Sequence, residues 1–229
     1  MIHACPARMW YVEAFLVPSM ARQGINRDDI TIWNDADGKG NLQSCLESFA
    51  SLDGIAGGTW HLQDDVMISR DFARRTHEMA GENIICGFCF SPYEEGDPPV
   101  TGWVFPVLMW NSCFPCVYIP NESASNFVSW YYAEARSRPE YAGWIKSRKH
   151  DDTFFHQYCV ERQPNTLVLN HAPHLVEHVD FLIGGSMINK WRGHTSRGYY
   201  FEDDDLTDEL TEAVVKYRNS RRDATTLKA

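Results

Sequence analysis

Apolar and polar positions follow two alternating rhythms over the first 65 residues. Residues 2–5 form a short apolar run, and residues 7–23 carry a helical pattern closed by Gly24 in the position that favours a left-handed C-cap. Pro18 inside that stretch predicts a kink or a restart, because proline has no backbone N–H to give to the helix. Ile30, Ile32 and Trp33 mark a strand over residues 30–33, and residues 34–40 a polar, glycine-containing loop. Leu42, Cys45, Leu46 and Phe49 then recur at i, i+3, i+4 and i+7, the stripe of a helix buried on one face, with Gly40 or Asn41 at its cap. Residues 58–62 read as a strand that runs straight into Gln63-Asp64-Asp65.

Strand, helix, strand, helix, strand is the order that βαβ crossovers produce, and it predicts a mixed, mostly parallel sheet flanked by helices. Beyond residue 80 the rhythm changes. Residues 84–90, 103–109, 116–119 and 166–169 are strand-like, residues 126–136 and the stretch around Phe154, Phe155, Tyr158 and Cys159 are helical, and Leu206, Leu210, Val214 and Tyr217 mark a C-terminal helix starting near Asp205. With no repeat and no long linker, the expectation is one α/β domain over residues 1–229.

Composition narrows the class. With 44% hydrophobic residues the chain can bury a substantial core. Its net charge of −10 argues against nucleic acid or anionic lipid held by bulk attraction. No run of about 18 apolar residues predicts a membrane span, and the N-terminus lacks the pattern of a secretory leader. Seven cysteines, an odd number without small-domain spacing, read as reduced thiols in a cytoplasmic protein.

Three constellations carry candidate chemistry. The first is Asp64-Asp65 at a strand end. Adjacent carboxylates repel one another unless a cation sits between them, and oxygen-ligand ions such as Mg²⁺ or Mn²⁺ are the usual answer. The bland alternative is a pair opening a helix over residues 67–75. The second is Asp151-Asp152 ahead of an amphipathic helix, where a plain cap with a favourable helix-dipole interaction is the simpler reading. The third is His178 in the apolar frame Pro173-His174-Leu175-Val176-Glu177-His178, a core residue by default and a sensible nitrogen ligand beside two carboxylates. Cys86, Cys89, Cys113 and Cys116 form two C-x2-C units 23 residues apart, open to structural zinc or, favoured by that spacing, to buried thiols.

Taken in order, Gln63-Asp64-Asp65, Asp151-Asp152 and His178 followed by Gly184-Gly185-Ser186 resemble the GT-A-fold glycosyltransferases over about residues 2 to 190. Gln63 is a departure, standing where many relatives carry an acid. The resemblance implies a Rossmann-like fold with a nucleotide-sugar-binding half in residues 1–110, an acceptor half in residues 111–200, and a C-terminal helix and tail in residues 201–229. It also implies a Mn²⁺ or Mg²⁺ ion on Asp65, Asp64 and His178, a catalytic base at Asp152 or Asp151, and a nucleotide-diphosphate-sugar donor, most simply a UDP-sugar. Arg8, Asp35, Asp37, Lys190 and Arg192 become candidate donor contacts; as bare residues they read equally as loop acids and solvated cations.

For the acceptor, a small cytoplasmic enzyme of this kind resembles those that phages use, in the host cytoplasm, to glycosylate hydroxymethylated DNA bases, although the charge of −10 counts against DNA. Cell-surface glycan or lipopolysaccharide is the alternative acceptor. A zinc-stabilised binding module without catalysis is the alternative from another class, and a phosphoesterase using the same acids is a third.

Overall fold

The structure, a computed structural model, describes residues 1–79, 84–88, 102–104, 115–162, 167–185, 201 and 203–226. Its centre is a seven-stranded sheet in the order β2-β1-β3-β7-β5-β8-β6. The strands are β1 (Ile2–Ala4), β2 (Ile32–Asn34), β3 (Gly58–Gln63), β5 (Ile84–Phe88), β6 (Gly102–Val104), β7 (Cys116–Pro120) and β8 (Leu167–Ala172). β1 pairs in parallel with both β2 and β3, and β5 with β8. β7 lies antiparallel between β3 and β5, and β6 antiparallel on β8. Five strands therefore run one way and two oppose them, a mixed but mostly parallel sheet. A separate pair, β4 (Val66–Ile68) and β9 (Val176–His178), is antiparallel.

Strand alternation explains why helices cover both faces. On β7, Val117 and Ile119 point into one core, shared with Phe49, Phe127, Phe154 and Phe155, whereas Cys116 joins the other, with Ile2, Leu62, Val66 and Val176. The first core is roofed by α3 (Asn41–Ala50), α5 (Asn121–Ala133), α6 (Ala142–Ser147) and α7 (Asp151–Arg162). α3 buries Leu42, Cys45, Leu46 and Phe49, the stripe read from its sequence. The second core receives the N-terminal helical stretch, α1 (Met9–Tyr11), a π-helical turn over Val12–Leu16 and α2 (Val17–Arg22), together with α4 (Phe72–Met79), α8 (Asp180–Ile183) and α9 (Asp204–Thr226). On α9, Tyr217 stacks on Trp10 at 5.5 Å.

Pro18 sits just after the wide π-helical turn, so the helix restarts where the proline withholds its N–H. Gly24, at φ +83°, closes α2: its N–H reaches the Ala21 carbonyl, and that of Ile25 reaches Met20. A helix over residues 67–75 does not form. Val66–Ile68 is a strand because β9 supplies its partner, and α4 begins only at Phe72. Among the described residues, no helix is long and apolar enough to cross a membrane.

Candidate functional site

β1, β2 and β3 are parallel, so their carboxyl ends share one edge of the sheet, and the residues that leave them are Cys5, Asp35 and Asp64-Asp65. A cavity of about 130 Å³ opens there. Its lining brings Arg8, Asp35, Asp64, Asp65 and Asp151 together, with Asn41 and Ser44 from the start of α3 and His3, His61 and Gln63 from the strands.

Arg8 ends a 3-10 turn, Pro6–Arg8, and is only 5% exposed. Its Nη1 donates to Asp64 Oδ1 at 2.9 Å and to Asp65 Oδ2 at 2.7 Å, and its Nη2 to the Gly185 carbonyl at 2.8 Å. Asp64 Oδ2 accepts the Cys5 amide at 2.7 Å. The repulsion that argues for a cation between the two acids is thus partly answered by an internal one. Burial and the neighbouring Asp65 charge raise the Asp64 carboxyl above its ordinary value against the pull of Arg8. Burial also acts to raise Asp65, but His178 and Arg8 together hold it well below. The Cys5 thiol is pushed up to about 11 by burial and by Asp64.

The β4–β9 pairing carries His178 to this place. Val66 lies opposite His178, the Val179 amide bonds the Asp65 carbonyl at 2.8 Å, and His178 Nδ1 stands 3.8 Å from Asp65 Oδ1. That oxygen is buried and accepts no hydrogen bond.

Two carboxylates and an imidazole are a donor set that suits Mg²⁺ or Mn²⁺, and the orphaned Asp65 oxygen is the kind of atom such an ion satisfies. With Arg8 in place they are not closed into a cage: among the described residues, no group of three or more His, Cys, Asp or Glu is spaced to hold a metal ion.

The second acidic pair divides. Asp151 lines the cavity, whereas Asp152 is absent from its lining and, inside the first turn of α7, accepts the Thr153 amide at 2.6 Å and the Thr153 hydroxyl at 3.2 Å. Burial, and then the Asp152 charge, raise the Asp151 carboxyl to about 7. The loop before it is held in left-handed geometry at Arg148 (φ 57°) and His150 (φ 68°), and the Arg148 carbonyl accepts the Leu42 amide at 3.3 Å, fastening α7 to the start of α3.

Asp35 faces the cavity, but its carboxylate is engaged by the Lys39 and Gly40 amides at 2.8 and 2.9 Å, so its first task is to shape the loop. Asp37 is largely exposed and lies 3.8 Å from Lys39 Nζ. Lys190, Arg192, Cys89 and Cys113 lie outside the described residues, as does the Cys86 side chain. Cys116 is a free thiol, fully buried in an apolar core.

Sequence reasoning overlooked His3 and His61 in the cavity wall. They bond each other, Nε2 to Nδ1 at 2.9 Å, and burial keeps both neutral at pH 7, lowering His3 to about 3. Two histidines near the same level of neighbouring parallel strands were the available signal.

The site defines the class to which this chain belongs only broadly: an α/β protein with an acidic, arginine-bridged cleft at the carboxyl edge of its sheet. Comparison with protein-family models and with curated proteins finds no match.

Proposed function

We propose that the chain is a glycosyltransferase of GT-A type that takes a sugar from a nucleotide-diphosphate sugar, most simply a UDP-sugar, with Mn²⁺ or Mg²⁺. The observation that carries this reading is the convergence of Arg8, Asp64, Asp65 and Asp151 on one cleft beyond three parallel strand ends. Open α/β sheets bind ligands at such an edge. Asp64, Asp65 and His178 would hold the ion, and when bound it would act as a Lewis acid on the leaving diphosphate.

Asp151 would accept the proton of the acceptor hydroxyl. A carboxyl raised to about 7 is a stronger base than an ordinary one and is still ionised in half of the molecules near neutrality. Asp152, bonded to its own helix start, serves to keep Asp151 poised through its charge. Asn41 and Ser44, at the start of α3, offer polar contacts to an anion on the opposite wall.

Hydroxymethylated DNA is the acceptor to test first and cell-surface glycan the second. Calorimetry with UDP-sugars tests the donor half directly. Asp65→Ala, or EDTA, should weaken binding by about tenfold or more, the loss expected for one charge-assisted contact. Unchanged affinity in both would refute the metal-bound donor.

A further inference from the structure

His3 and His61 share one hydrogen bond, between His3 Nε2 and His61 Nδ1 at 2.9 Å, and it leaves each ring one further nitrogen. His61 Nε2 is closed off from solvent and has no partner. His3 is half-buried and lines the cleft, and its Nδ1 is not closed off in this way. A neutral imidazole carries one proton, so the shared bond ties the two tautomers together. If His3 donates through Nε2, His61 must carry its own proton on Nε2, an N–H buried without an acceptor, and His3 turns a bare nitrogen to the cleft. If His61 donates through Nδ1, its buried Nε2 is only a lone pair, and His3 carries its proton on Nδ1.

Two considerations select the second arrangement. A buried N–H without an acceptor is rarer in folded proteins than a buried acceptor without a donor. The cleft is also lined by Asp35, Asp64, Asp65 and Asp151, whose negative charge favours an N–H over a lone pair facing them. His3 thereby offers the cleft a hydrogen-bond donor that burial keeps uncharged. A phosphate is held best by a charged donor. An uncharged one among acids suits a group that both accepts and donates: a hydroxyl, or a nucleobase carbonyl beside its own N–H.

We propose that His3 is a ligand-binding residue: with its proton held on Nδ1 by His61, it donates a hydrogen bond to an uncharged oxygen of the ligand, a sugar hydroxyl or a nucleobase carbonyl. The inference rests on the nucleotide-sugar reading above and gives that ligand a contact on the strand wall of the cleft. His61 touches no ligand in this scheme; it positions the proton of His3.

Nitrogen-15 NMR of the imidazole rings reads the tautomers directly in the ligand-free protein. Both histidines should be protonated on Nδ1 and bare on Nε2, and a His3 protonated on Nε2 overturns the proposal. His61→Phe keeps a ring against Phe49, now 4.5 Å from that of His61, and removes the shared bond. The Nε2-protonated form of His3 should then appear; a His3 that stays wholly Nδ1-protonated overturns the role given to His61. Uridine, UDP and UDP-glucose, each brought to saturation with Mg²⁺ in the buffer, identify the oxygen. A shift of the His3 Nδ1 proton already with uridine marks the carbonyl, and a shift with UDP-glucose alone marks the sugar. A shift that begins with UDP and is unchanged by the sugar marks a phosphate contact and overturns the uncharged acceptor. His3→Phe should weaken the ligand so identified by about three- to tenfold, the scale of one neutral hydrogen bond. UDP-glucose binding that leaves the His3 proton unmoved overturns this inference and spares the donor reading. If none of the three ligands binds, both fall.

Discussion

Asp151→Asn should make the protein more stable and less active, and the stability gain should depend on pH. Burial and the Asp152 charge raise this carboxyl from 3.8 to about 7. Each unit corresponds to about 1.36 kcal/mol, so ionised Asp151 costs the fold at most about 4 kcal/mol, and less because the side chain keeps some contact with solvent. The sign follows from linkage. A carboxyl whose folded pKa lies above its unfolded value contributes stability that is complete at low pH and is lost as pH rises through about 7. Asparagine does not ionise and is free of this loss.

Urea unfolding of both proteins should therefore show the variant's advantage widening by about 2–3 kcal/mol between pH 4.5 and pH 8.5. If the proposed glycosyl transfer holds, the same raised carboxyl predicts that turnover of the unaltered chain climbs with pH through about 7, as Asp151 ionises. The variant should lose about a hundredfold in turnover with donor affinity intact, the scale of general-base loss. A stability gap independent of pH, together with retained turnover, would refute both the burial argument and the assignment of Asp151 as base.

Two further substitutions probe the scaffold. Phe127 is fully buried, with its ring edge-on to Phe49 at 5.9 Å, Phe155 at 5.3 Å and Tyr158 at 5.7 Å. Phe127→Ala should cost about 3–5 kcal/mol by urea unfolding, and a loss below about 1 kcal/mol would mean that α5 does not pack as described. Gly40 has φ 90° and ψ 160°, a region almost confined to glycine, and a Cβ there would meet the Arg148 Cβ and carbonyl at 2.9 Å. Gly40→Ala should cost about 1–3 kcal/mol from backbone strain alone; a neutral result would refute the glycine-only turn at the start of α3.

What the sequence disclosed was what neighbouring residues determine. The stripe Leu42, Cys45, Leu46, Phe49 carries its own period, and the strand ending at Gln63 announces where Asp64-Asp65 will stand. The strand Val66–Ile68 was open to a helical reading because three apolar residues have no period, and only β9, more than a hundred residues away, makes them a strand. The insertion of β7 between β3 and β5 is hidden for the same reason, since pairing partners are not written into either strand. Arg8 read equally as a donor contact and as a solvated residue at a helix start. Its burial against Asp64 and Asp65, 56 and 57 positions on, exists because β1 and β3 lie side by side.

The departures from ordinary local chemistry gather in one place. Two adjacent buried carboxylates, a buried arginine, a carboxylate oxygen without a hydrogen bond, two neutral buried histidines, a carboxyl raised to about 7 and a glycine-only backbone turn all border or support the same cleft. Elsewhere the sheet and its helices follow the rules of alternation, capping and close packing. Natural sequences violate those rules where function requires it, and the rest of the fold supplies the stability that such violations cost. The two aromatic-rich cores on either face of the sheet are that supply, and the β4–β9 pair carries His178 to within 3.8 Å of Asp65. On this argument Asp64 and Asp65 are coupled through Arg8, and a change at either should be felt at the other.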